Sequence, residues 1–256
     1  MTNSAPPPAA IAPLPIWPTV AEAYRTLLAN FGVLAKIAAL PFVLLMVINA
    51  LATQMGPLGY RLVWEFGIEI PWTLMAVAWL RHLLLAQHGA GAVFFPTIER
   101  RHLRFLGYAL LLSLISLPLT LYPLLADALS LPPGSFVFWV LYVAIFYLGI
   151  RFAFVYAAVA VDESYSLALA WRHTRAISMN LFVAIGVFAV LPWKLFDYLL
   201  NLGAQSDMGS FVAVALAWHV GLWLLEAIYL TFIAIAFRRC TGWVPAPDPS
   251  ILERFE

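Results

Sequence analysis

The chain has 256 residues, 64% of them hydrophobic and only 11% charged, with a formal net charge of +1. Soluble domains carry about 45–50% apolar and about 25% charged residues, so a soluble fold of this length could not cover the excess. The near-zero charge leaves no footprint for a nucleic acid, and the single cysteine, Cys240, excludes an internal disulfide or a thiolate metal cluster.

Residues 1–17, with Pro6, Pro7, Pro8, Pro13 and Pro15, read as a disordered Pro/Ala tail. They lack the basic start and apolar core of a cleavable signal peptide. A six-span membrane domain is expected over 18–240, followed by a short cytoplasmic tail at 241–256. A helix needs about 20 apolar residues to cross the hydrocarbon. Six segments meet this length: 31–52, 62–85, 105–129, 136–158, 179–201 and 211–237. The connections at 53–61, 130–135 and 202–210 are short and hold turn formers such as Gly56, Pro57, Pro132, Pro133 and Gly134. Those at 86–104 and 159–178 are longer and basic. The predicted fold is therefore all-α: a polytopic bundle of six transmembrane helices with short interfacial amphipathic helices.

Charge sets the expected orientation. Of the 14 Lys and Arg residues, only Arg61 and Lys194 fall on the side of the short turns. Short loops rich in Lys and Arg stay cytoplasmic, which places both termini in the cytoplasm. Leu40-Pro41, Leu117-Pro118 and Leu191-Pro192 recur about 75 residues apart, the spacing of three two-helix units. The alternative is that membrane helices tolerate proline and leucine is common.

A short amphipathic segment precedes each odd span. Thr19 and Glu22 have the spacing of a capping box ahead of Val20, Tyr24 and Leu27. Pro96-Thr97 opens the second segment and Asp162 is the expected cap of the third. Such helices lie in the interface with basic residues toward headgroups. Arg100, Arg101, Arg104, Arg172 and Arg175 are the expected contacts to anionic lipid.

Ionisable groups at membrane depth are costly and turn inward to find partners. At 1.5 Å per residue, Glu69, Lys194 and His219 lie roughly 10–12 Å from the outer end of their spans, with Glu65 shallower. Asp197, three residues from Lys194, shares its face. Arg151 and Glu226 fall roughly 22 Å deep and are expected to form an ion pair. Two readings of Glu65, Glu69, Lys194, Asp197 and His219 stay open. The charges lock helix register, or they line a site for protons, ions or a polar headgroup.

No His-Glu-x-x-His zinc pair, Gly-x-Ser-x-Gly elbow or phosphate-binding Gly-rich loop occurs in the sequence. No catalytic residue, metal or cofactor is expected. His82, His88 and His102 read as solvated, and His173 as a headgroup contact.

The stretch RFAFVYAAVAVDE from Arg151 to Glu163, SLALAWRHTR from Ser166 to Arg175, and Asn180 to Phe182 resemble a bacterial pattern. In it an Arg ends span four, an Ala-Leu…Trp…Thr helix follows, and an Asn-Phe-like step opens span five. Glu22 to Arg25, Asn30-Phe31 and Leu40-Pro41 fit the opening of the same pattern. The chain resembles, over 18–240, the glycerophosphoryl diester phosphodiesterase membrane-domain family and its YciC-like relatives. The resemblance implies a bacterial inner-membrane module. It does not imply the hydrolase, whose soluble barrel of about 250 residues would not fit outside that span. Two functions are expected from these features. One is a non-enzymatic protein that supports or senses lipid or envelope processes through its basic face, with anionic lipids, another membrane protein or its own copy as partner. The other is a transporter or channel with a polar site at Glu69, Lys194 and His219.

Overall fold

The computed structural model describes residues 14–85, 98–128, 136–203 and 208–245, and only the backbone at 127, 197, 199–203 and 208–212. The tail up to residue 13, the Pro96-Thr97 cap, His88, the turn at 130–135 and the tail from 246 lie outside the described residues, as does the Asp197 side chain.

The regular structure of the described residues is all helical, without strands. In chain order the helices are α1 (Ile16–Ala29), α2 (Phe31–Ala52), α3 (Pro57–Gly67), α4 (Glu69–Leu85), α5 (Arg100–Ala128), α6 (Phe136–Phe152), α7 (Phe154–Ala160), α8 (Leu167–Thr174) and α9 (Ser178–Ile185). A π-helical turn over Gly186–Val190 then leads into α10 (Leu191–Gly203), and α11 (Met208–Thr241) ends the bundle. Six stretches are long and apolar enough to cross a membrane: Phe31–Ala52, Pro57–Leu85, Arg100–Ala126, Phe136–Ala160, Ser178–Phe196 and Ala213–Thr241. These match the six expected spans.

Packing centres on α11, which touches α1, α4, α7, α9 and α10. Trp79 of α4 is fully buried and donates its indole N–H to Ala227 O at 3.2 Å and Thr231 Oγ1 at 3.1 Å on α11. Between helices in lipid, close packing and hydrogen bonds replace the hydrophobic drive. The run Ala153–Ala160 is buried at every position, small residues letting α7 sit in the middle of the bundle. The outward surface is apolar: Val43, Val47 and Leu51 on α2, Leu111 and Leu114 on α5, Trp139, Val140 and Val143 on α6 are exposed. In water such a surface would be an aggregation liability; against acyl chains it is the expected face.

Prolines divide the spans. Pro71 has no N–H for the Gly67 carbonyl, and the span expected over 62–85 is split at Ile68 into α3 and α4. Pro192 likewise leaves the Phe188 carbonyl without its partner. That carbonyl lies in the π-helical turn and accepts instead from the Tyr24 hydroxyl of α1.

Three local expectations are corrected. Thr19 is not a cap: α1 begins at Ile16, Thr19 bonds back to Pro15 O, and Glu22 pairs with Arg239. Residues after Glu99 do not form a separate interfacial helix, because α5 runs unbroken from Arg100. Ser166, not Asp162, caps α8 by accepting from Leu169 N. Asp162 instead adopts φ 65°, a conformation Asp tolerates better than most residues, and receives Arg81 at 3.2 Å and Arg101 at 2.5 Å. With Arg239 on Glu22 and Trp243 Nε1 on Glu163 at 3.0 Å, these bonds brace the basic end of the bundle.

Candidate functional site: a carboxylate-lined cavity

Three helical faces converge on a cavity of about 270 Å³. Glu65, Glu69 and Trp72 stand at i, i+4 and i+7 across the α3–α4 break. Ser113 and Ser116 stand at i and i+3 on α5. Leu222, Glu226 and Tyr229 stand at i, i+4 and i+7 on α11, and Tyr156 of α7 and Gly149 of α6 complete the wall. The cavity thus lies between the elements that pack around α4 and α11.

Each carboxylate is held by a neutral donor. Ser113 Oγ donates to Glu69 Oε1 at 2.5 Å. Ser116 Oγ donates to Glu65 Oε1, and Thr120 Oγ1 to Glu65 Oε2 at 2.5 Å. Trp72 Nε1 donates to Glu226 Oε2 at 3.0 Å, with its ring against Phe105 and Tyr156 at 5.3 and 5.0 Å. Glu69 lies within electrostatic reach of both Glu65 and Glu226. Among the described residues, no Lys, Arg or His lines the cavity. Arg61, one turn from Glu65, turns to Thr120 O at 3.4 Å. Two like charges 4 Å apart repel by roughly 4 kcal/mol at an effective dielectric near 20, so a site of this kind carries its negative charge only beside protons or a bound cation. Among the described residues no group of three His, Cys, Asp or Glu is arranged to hold a metal ion.

The structure brings together only part of the expected cluster. Glu65 and Glu69 are in the cavity; Lys194 and His219 are not. Lys194 is exposed on α10. His219 is buried between Trp64 and Trp218, with ring Nδ1 2.7 Å from Ala215 O and Nε2 without a partner among the described residues. Matching depths placed these groups at one level, but their azimuths differ. The expected Arg151–Glu226 ion pair does not form for the same reason. Arg151 is 4% exposed and faces α8, where it donates to Trp171 O at 2.5 Å and lies 3.9 Å over the Trp171 ring, while Glu226 faces Trp72. Glu226 therefore joins the acidic cavity that depth counting assigned to Glu65 and Glu69.

At the basic end, Arg100, Arg172 and Arg175 are exposed. Arg101 is committed to Glu99 and Asp162, and Arg104 reaches Glu163 O at 3.4 Å. Two of the three histidines expected to be solvated, His82 and His102, are held by protein: His102 is buried and accepts from Glu99 N at 3.1 Å, and His82 Nε2 lies 2.9 Å from Asn30 Oδ1. His173 meets the Tyr165 hydroxyl at 2.6 Å.

The residues missed from sequence are Ser113, Ser116, Thr120, Trp72, Tyr156 and Tyr229. A signal was present in the hydroxyls of span three, which recur at i, i+3 and i+7 on one face of an otherwise apolar helix. Comparison of the chain with protein-family models, curated proteins and solved structures gives no match.

Proposed function

We propose that this multi-pass membrane protein is a non-enzymatic transporter that takes up a positively charged solute group inside the membrane. The observation that carries the reading is a cavity walled by Glu65, Glu69 and Glu226 with no basic side chain on it among the described residues. Interrupted helices beside a polar site near the midplane suit transporters, and the α3–α4 break at Ile68 lies beside Glu65 and Glu69. Ser113 and Ser116 are bonded to carboxylates rather than to a histidine or lysine, which favours binding over acyl transfer. The arginine distribution supports cytoplasmic termini.

Reconstituted liposomes test this reading. An inward gradient of an organic cation is expected to dissipate faster with the protein than without it, and Glu69→Gln is expected to remove the difference. Equal leakage with wild type and variant would reject transport. A second reading, lipid support through the basic face, draws on the exposure of Arg100, Arg172 and Arg175. Neutralising these together with Arg101 and Arg104 is expected to reduce anionic lipid retained in native mass spectrometry, and unchanged retention would count against it.

A further inference from the structure

We infer that the cavity selects a small primary or secondary ammonium, a cation that carries N–H donors on an apolar body; this rests on the cation-binding reading above. The hydrogen-bond inventory leads to the ligand. Every protein donor bonded to the acids is already spent: Ser113 on Glu69, Ser116 and Thr120 on Glu65, Trp72 on Glu226. Among the described residues, Glu69 Oε2 and Glu226 Oε1 accept nothing. The Tyr156 and Tyr229 hydroxyls, also on the cavity wall, have no partner either. Tyr156 is only 6% exposed, and it lines the cavity. The groups that face the cavity without a protein partner among the described residues are thus two carboxylate oxygens, which only accept, and two phenols, which accept as well as donate. An occupant that meets all four groups at once brings positive charge and donors together.

The remaining walls match the rest of such a molecule. Trp72, Trp223, Tyr156 and Tyr229 surround the acids with aromatic surface, which attracts an ammonium and excludes water. Leu112, Ile145 and Leu148 offer an apolar seat. The volume of about 270 Å³ sits near the lower end of small-molecule sites, about 300–1,000 Å³, and is far larger than a bare ion requires. Quaternary ammonium satisfies the charge and the aromatic faces but offers no N–H. The cavity therefore discriminates by donors, not by charge alone. A protonated amine is also the headgroup of an ethanolamine lipid, so the same chemistry has a free and a lipid source.

The test uses the full chain in nanodiscs made with phosphatidylglycerol alone. Phenethylammonium and its N,N,N-trimethyl counterpart are titrated by calorimetry. The primary ammonium is expected to bind at least about tenfold tighter, the weight of one or two hydrogen bonds to desolvated partners. Tyr156→Phe is expected to weaken phenethylammonium several-fold and leave the trimethyl compound unchanged. Gly149→Phe, which projects into open space and not into backbone, is expected to abolish both in a folded protein. Phosphatidylethanolamine added to the nanodiscs identifies the lipid as the source if it competes, and a free amine if it does not. Equal or tighter binding of the trimethyl compound overturns the donor-matching inference and leaves a cation site standing. Absence of saturable binding of either cation, or of Na⁺ or K⁺, overturns the cation-binding reading itself.

Discussion

Replacing Tyr24 with Phe removes one hydroxyl, and Pro192 determines what that hydroxyl is worth. The Phe188 carbonyl would ordinarily accept from the N–H of residue 192, which proline lacks. Tyr24 fills the vacancy from another helix. Burial pushes the Tyr24 phenol above its usual range, so it remains a donor across neutral pH. A carbonyl left without a partner costs about 1–3 kcal/mol when fully buried, which is the upper bound for this half-buried one, and lipid supplies no water to replace it. Tyr24→Phe is therefore expected to lower unfolding stability in mixed detergent by at most about 1–3 kcal/mol. In a Pro192→Ala background the restored N–H can serve the Phe188 carbonyl, and the same change is expected to cost less than about 1 kcal/mol. The interaction energy of this double-mutant cycle is the quantity to measure. An equal cost in both backgrounds would show that Tyr24 does not compensate for the proline.

An added Cβ at Gly221 would lie 2.5 Å from Phe196 Cε1 and 2.6 Å from Trp193 Cζ3, so Gly221→Leu is expected to pry α10 from α11 and cost about 1–3 kcal/mol in thermal or denaturant unfolding. Gly149→Ala meets open space in the interior of α6 and is expected to stabilise by roughly 0.5–1 kcal/mol; a loss of stability would show that the cavity wall has no slack there. Burial, and then the Arg172 charge, holds the His173 imidazole below its usual range. The unfolded chain titrates near about 6.5 and so binds more protons than the folded one below that pH. Stability is expected to fall as pH drops from 7 to 5, with a shallower fall in His173→Gln; identical slopes would place the titration elsewhere.

The spans were readable because lipid demands long apolar helices, and hydropathy records that demand directly. What hydropathy does not record is rotation about a helix axis. Glu69 and Lys194 were matched by depth, yet Glu69 turns to Ser113 while Lys194 lies on an exposed face of α10. Arg151 and Glu226 were matched the same way, and the α8 backbone won the arginine through Trp171 O. The Thr19–Glu22 spacing carries a cap signature, but Ile16 and Trp17 extend α1 by a turn, and Glu22 meets Arg239 instead. Pro71 signals its break openly, through the carbonyl it leaves without an N–H at Gly67. Trp72, Tyr156 and Tyr229 could not be distinguished by sequence from ordinary core aromatics, because only the packing of α4, α7 and α11 brings them around the acids.

The central claim is that the three glutamates exist to hold positive charge and not to fasten helices. Thermal stability of wild type and a Glu69→Gln/Glu226→Gln double variant, each with and without phenethylammonium, tests it most directly. The expected result is a variant at least as stable as wild type without ligand, since neutral amides keep acceptors for Ser113 and Trp72 and remove like charges, but one that gains nothing from the amine. A variant that loses stability while wild type also ignores the amine would contradict the claim and assign the glutamates to helix packing.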